Sequence, residues 1–114
     1  MNPLKITVRE SATGPVLEVV GDLDHDSSPT LRTYLPTVAL RPGSLFVLDL
    51  AGMPFCDSSG ISALIAARNH AEAAGAGIAL AGVPANTLRI LRIVGLDQVF
   101  ALHPDAASAT RAAS

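Results

Sequence analysis

The run Leu45-Phe46-Val47-Leu48-Asp49-Leu50 limits the possible folds more than any other stretch of the chain. It is strand-length, rich in β-favouring residues and shows almost no alternation. A strand apolar on both faces belongs in the middle of a sheet that is covered on both sides. The stretch that follows has helical spacing from Ser59 to about Ala74. Ile61, Leu64 and Ile65 share one face there, and alanines at 63, 66, 67, 71, 73 and 74 keep much of the remainder smooth. A buried strand leading into such a helix is the repeating unit of an α/β fold.

The flanking segments fit that frame. Lys5 to Glu10 alternates apolar and polar residues and reads as a first strand, with Ile6 and Val8 on one side. Ala12-Thr13-Gly14-Pro15 is a turn, and Val16 to Gly21 is a second strand. The short link makes the pair antiparallel. Ser28 suits the cap of a first helix and Pro29 its first helical position. Pro36 interrupts that helix, since an interior proline removes a backbone hydrogen bond and clashes with the preceding turn. The spacing therefore predicts a kink or an end near Leu35. Gly75 is the expected left-handed cap of the second helix. Ile78 to Val83 reads as another strand. Pro84 opens a third helix with Leu88, Leu91 and Val94 as its buried stripe, closed by Gly95. Leu96 to Leu102 is a short strand or extended stretch. Asp105 to Ser114 could form a last helix, whose weak stripe predicts fraying.

The predicted architecture is a single α/β domain over residues 1–114. It enters through a β-hairpin and continues as βαβαβ, with right-handed crossovers. The order is β-β-α-β-α-β-α-(β)-α, a mixed sheet of four to five strands with about four helices. A chain of 114 residues with 49% hydrophobic residues supports one aliphatic core, since aromatics are only 4%. The formal net charge of −2 and the scattered basic residues give no footprint for nucleic acid or an anionic membrane. The start has no signal-peptide pattern, no apolar run reaches membrane-spanning length, and the lone Cys56 cannot form an internal disulfide. These features predict a cytoplasmic protein.

The candidate site is the junction Phe55-Cys56-Asp57-Ser58-Ser59-Gly60-Ile61. The first turn of a helix carries unpaired N–H groups and a partial positive charge, which favour anions. Sites in α/β sheets also favour the carboxyl ends of strands. A serine here either caps the helix or presents its hydroxyl for chemistry. Ser59 better suits the cap. Asp57 either orients the Ser58 hydroxyl or fixes the loop, and the residues leave both open. Enzyme readings find little support. His25, His70 and His103 are not forced near Ser58, and the Gly-x-Ser-x-Gly elbow of hydrolases is absent. One cysteine and three scattered histidines do not make a zinc site. Asp22, Asp24 and Asp26 lack the remaining ligands of a calcium loop and read as a solvated turn. Gly75-Ala76-Gly77 follows a helix and is no dinucleotide fingerprint. Cys56 reads as a small buried hydrophobe. Arg89 and Arg92 read as a solvated face.

Four blocks, in order along nearly the whole chain, carry a family resemblance. They are Gly21-Asp22-Leu23-Asp24, Val47-Leu48-Asp49-Leu50-Ala51-Gly52, Phe55 to Ile61, and Val94-Gly95-Leu96-Asp97-Gln98-Val99-Phe100. The sequence resembles the STAS domains of bacterial anti-sigma factor antagonists. The resemblance implies that Ser58 is the phosphorylated residue and that the loop carrying Asp22 and Asp24 lies beside it. Asp57, Ser59 and Gly60 complete the implied partner-binding loop. It further implies no catalysis and no cofactor. The unphosphorylated protein would bind an ATPase-like anti-sigma factor serine kinase and free a sigma factor. Phosphorylation at Ser58 would end that binding, and a serine/threonine phosphatase would reset it. A monomer or weak dimer is expected, without nucleic acid or membrane partners. Two other roles remain open on sequence: a STAS scaffold or sensor component of a larger signalling assembly, and a weak nucleotide-binding module. Pro36 departs from the family's usual smooth first helix and bears on that helix's shape more than on the fold.

Overall fold

A computed structural model describes residues 2–113. Two strands, β1 (Lys5–Ser11) and β2 (Gly14–Val20), form the antiparallel hairpin, in register from Lys5 opposite Val20 to Ser11 opposite Gly14. Then follow helix α1 (Ser28–Tyr34), strand β3 (Leu45–Asp49), helix α2 (Ser58–Ala73), strand β4 (Gly77–Ala81), helix α3 (Ala85–Ile93), strand β5 (Ala101–His103) and helix α4 (Ala106–Ala113). The sheet order is β1-β2-β3-β4-β5, and every pairing after the hairpin is parallel. β3 is the central strand, and its Phe46, Val47 and Leu48 are fully buried. Burying one such leucine side chain contributes roughly 1.5–3 kcal/mol.

Alternation along the strands divides the interior in two. Leu17, Val19, Phe46, Leu48 and Leu80 face the main core, where they meet Leu31 and Leu35 of the first helical region, Leu64 of α2 and Leu91 of α3. Val16, Val47, Ala79 and Ala81 point the other way and are covered by Ala106 and Ala109 of α4. The alanine-rich tail thus closes the second face of the sheet. A stripe of alanines is weak by hydropathy but lets a helix approach a sheet of small side chains closely. Ser114, the expected end of this helix, lies outside the described residues.

Several boundaries differ from the sequence reading. Ser27 occupies the cap position of α1, and Ser28 is buried inside the helix. The Ser28 N–H already bonds the Asp24 carbonyl at 2.7 Å, so the helical pattern starts one residue early. Pro36 acts as expected: α1 ends at Tyr34 and a 3-10 turn, Leu35–Thr37, follows. Val94 is not part of the buried stripe of α3. It is 57% exposed, because the helix ends at Ile93 and the backbone turns through Gly95 at φ 80°. Thr87 and Leu91, one turn apart, are the buried residues of α3. The stretch from Leu96 begins as a 3-10 turn, Leu96–Gln98, and only Ala101–His103 pairs with the sheet.

Candidate functional site

The site lies beyond the carboxyl ends of β2 and β3, where two loops run side by side. The Gly21 N–H bonds Gly52 O at 2.9 Å, Leu23 N–H bonds Phe55 O at 2.9 Å, and Asp57 N–H bonds Leu23 O at 3.2 Å. Leu23 and Cys56 form an isolated parallel bridge. Both side chains are buried, so this short pairing is anchored in the main core. It carries the Asp22–Asp26 segment to the start of α2.

Asp57 is the cap of α2. Its extended backbone places Oδ1 3.0 Å from the Gly60 N–H, which donates to it. This corrects the expectation that Ser59 caps the helix. The cap must stand outside the helix and reach its third residue, and Ser58 and Ser59 are already inside it. Asp57 Oδ2 accepts the backbone N–H of His25 at 3.1 Å. Of the two roles open for Asp57, the geometry displays loop fixation.

Ser58 is the first residue of α2 and is exposed. Among the described residues its hydroxyl has no hydrogen-bond partner. Ser59 is half-buried, with Oγ 3.5 Å from His25 Nδ1. Gly60 is buried, and a Cβ there would stand 2.5 Å from both Cys56 Sγ and the Leu23 carbonyl oxygen. Only glycine lets α2 sit this close to the Leu23 strand. Cys56 is 2% exposed. Burial, reinforced by the neighbouring Asp57 charge, pushes its pKa up to about 12. It is therefore a packed thiol and not a nucleophile.

The acidic residues are bound to the local backbone. Asp24 Oδ1 accepts the N–H groups of Ser27 at 3.0 Å and Asp26 at 3.1 Å. The Ser27 N–H bond chiefly holds its carboxyl below the usual range. Asp22 Oδ2 accepts the Asn2 N–H at 3.3 Å. Among the described residues, no group of three or more His, Cys, Asp or Glu side chains is arranged to hold a metal ion. No helix among them is long and apolar enough to cross a membrane.

Two residues at the site were given no role from the sequence. Phe55 is 48% exposed, three positions before Ser58. His25 sits against Ser59, although sequence spacing alone did not place it there. The signal for His25 was available indirectly, in its position one residue after Asp24 in the loop that the family resemblance sets beside Ser58. His25 and Ser59 do not form a hydrolytic pair of the usual kind, since no third group among the described residues orients the imidazole.

Comparison with known proteins places this geometry. A family model described as "Mlab, STAS domain" matches residues 6–104. A STAS-domain containing protein of Pseudomonas aeruginosa is 31% identical over 99 residues, spanning 85% of this chain and 97% of that protein. The crystal structure of an anti-sigma factor antagonist from Mycobacterium paratuberculosis is 26% identical and superposes with a TM-score of 0.83, over 96% of this chain and 93% of that one. The phosphorylated form of the Bacillus cell fate determinant SpoIIAA shares the fold at 16% identity and a TM-score of 0.72, over 96% of this chain and all of that one. The loop pairing, the aspartate cap and the exposed serine thus sit on a fold that this chain shares with anti-sigma factor antagonists, and the chain belongs to the STAS-domain family.

Proposed function

We propose that this STAS domain is an anti-sigma factor antagonist switched by reversible phosphorylation of Ser58. The observation that carries the reading is the contrast between Ser58 and its neighbours. Asp57 and Gly60 hold the loop and the helix start, whereas the Ser58 hydroxyl is exposed and, among the described residues, bonds to nothing. A phosphoryl group can be added there without breaking the cap. The M. paratuberculosis neighbour is an anti-sigma factor antagonist, and SpoIIAA exists in a phosphorylated form; both support the reading.

The phosphate adds about −1.5 to −2 charges at neutral pH. Asp57 and the acidic loop stand nearby, and the amino end of α2 offsets only ~0.3–1 kcal/mol of the charge. A partner carboxylate ~6 Å away would be repelled by roughly 3 kcal/mol at an effective dielectric of ~20, less where exposed. Even ~1.4 kcal/mol is tenfold in affinity. The unphosphorylated face, with Asp22, Asp24, Asp57, Ser59 and Gly60 as its framework, binds an ATPase-like anti-sigma factor serine kinase and releases a sigma factor. The protein is the substrate of that kinase and of a serine/threonine phosphatase, and carries no catalysis of its own.

The test is a pull-down from native extract with wild type, Ser58→Ala and Ser58→Asp. Wild type and Ser58→Ala should capture an ATPase-like kinase, and Ser58→Asp should not. Equal capture of other partners by all three would instead make the domain a scaffold, with Ser58 a plain loop residue.

A further inference from the structure

Two contacts set His25 against the residues on either side of Ser58. Its backbone N–H is fixed on Asp57 Oδ2 at 3.1 Å, and its exposed imidazole rests with Nδ1 3.5 Å from Ser59 Oγ. These contacts bracket Ser58 in sequence, one on each side. The Ser59 contact is at the outer limit of a hydrogen bond, so little holds the ring there. A charge-assisted bond to a phosphate oxygen is shorter and roughly twice as strong.

The surrounding charges single out this residue. The chain has no lysine or arginine between Arg9 and Arg32, nor between Arg41 and Arg68. These two segments build the site, and His25 is the one side chain in them that can become a cation. The groups in contact with it are Asp57 from the cap of α2, through the His25 backbone N–H, and the Ser59 hydroxyl, and the Asp24 carboxylate of its own loop is close enough to feel its charge. Asp22, behind the loop, is turned to Asn2. Both Asp57 oxygens and Asp24 Oδ1 accept backbone N–H groups. None of these carboxylates is hydrogen-bonded to the imidazole, which leaves it available to a new anion.

Resting on the reading of Ser58 as the phosphoacceptor, we propose that His25 is the phosphate partner of phosphorylated Ser58. As the imidazolium it leaves Ser59 and donates to a phosphoseryl oxygen. A phosphomonoester has its second pKa at about 6, and a cation donating to it lowers that value.

The experiment uses the full chain with phosphoserine genetically encoded at position 58, so no kinase is needed. The ³¹P resonance is followed from about pH 4.5 to 8.5 in the wild-type and His25→Gln backgrounds. The wild-type phosphate should titrate lower than that of His25→Gln by about half a pH unit, within the range for an exposed pair of opposite charges. The imidazole resonances of His25, but not those of His70 and His103, should move on phosphorylation. His25→Lys should restore the low midpoint. Equal midpoints in wild type, His25→Gln and His25→Lys, with unmoved His25 resonances, would overturn the proposal. Failure of the functional reading would look different: the phosphorylated chain would capture the kinase as well as the unmodified chain, whatever the ³¹P titration gave.

Discussion

Asp57 accepts the backbone N–H of His25 at 3.1 Å, across 32 positions of sequence, while its other oxygen caps α2 through Gly60. One carboxylate thus joins the loop after β2 to the start of the helix after β3. The backbone pairing of the two loops runs from Gly21 and Gly52 to Leu23 and Asp57; from Asp24 onward, among the described residues, this side chain takes over and helps set how the acidic loop lies against Ser58.

Replacing it separates its two roles. Asp57→Ala removes a helix cap worth ~1 kcal/mol and a second hydrogen bond to a charged acceptor, for a combined loss of about 2 kcal/mol. Asp57→Asn keeps one acceptor oxygen, which can serve Gly60 or His25 but not both well, and should lose about half as much. Urea denaturation of the three proteins gives the order, and the amide resonances of His25 and Gly60 report which bond the asparagine keeps. An alanine variant within 0.5 kcal/mol of wild type would show that the loop is held by other contacts.

Gly60→Ala sets two effects against each other. Alanine is favoured over glycine in a helix by ~1 kcal/mol. The added Cβ, however, meets Cys56 Sγ and a backbone oxygen at 2.5 Å. The carbonyl belongs to the Leu23 pairing and cannot move without breaking it, and such overpacking costs about 1–3 kcal/mol. Steric overlap should win, giving a net loss of about 1–2 kcal/mol in urea denaturation together with shifted amide resonances from Leu23 to His25. A stabilised Gly60→Ala would mean that α2 can slide away from the bridge at little cost.

The central strand, the proline stop of α1 and the strand-to-helix junction were legible in the sequence because each rests on a local rule. Phe46, Val47 and Leu48 have no polar face, and Pro36 has no N–H to give. The cap was misplaced because Asp57, Ser58 and Ser59 are all good caps. The choice among them depends on where the backbone leaves its extended form, and Leu23 on a distant loop fixes that point. Val94 follows the spacing of a buried stripe but comes one residue after the helix has ended. The role of α4 was hidden for another reason: Ala106 and Ala109 carry little hydrophobic signal, and only the small residues Ala79 and Ala81 opposite them make the fit.

Cys56 should be almost inert in the folded protein. With its pKa pushed up to about 12, roughly one thiol in ten thousand is ionised at pH 8, and the thiolate is the reactive form. Iodoacetamide should label it slowly in buffer and at the ordinary rate in urea. The linkage has a definite sign. The pKa is higher in the folded state, raised from 9.0 to about 12, so the thiol's contribution to stability is fully present below about pH 9 and is lost as pH rises toward 12. Cys56→Ala should therefore lose less stability than wild type between pH 8 and pH 10.5. Equal pH dependence in the two proteins, or rapid labelling of the folded chain, would place the thiol in contact with solvent.

Thr87 of α3 is fully buried, and its hydroxyl finds no hydrogen-bond partner among the described residues. Its methyl group packs usefully, whereas its oxygen has given up water for nothing in return. An unsatisfied buried hydroxyl costs about 1–3 kcal/mol. Thr87→Val exchanges that oxygen for a methyl of similar size and should stabilise the protein by about 1 kcal/mol. Thr87→Ser keeps the oxygen and deletes the methyl, and should destabilise it by about 1 kcal/mol. The opposite signs separate the hydroxyl from the packing, and urea midpoints at constant slope measure both. If Thr87→Val proves less stable than wild type, the hydroxyl is bonded, and the start of α3 owes part of its position to that bond.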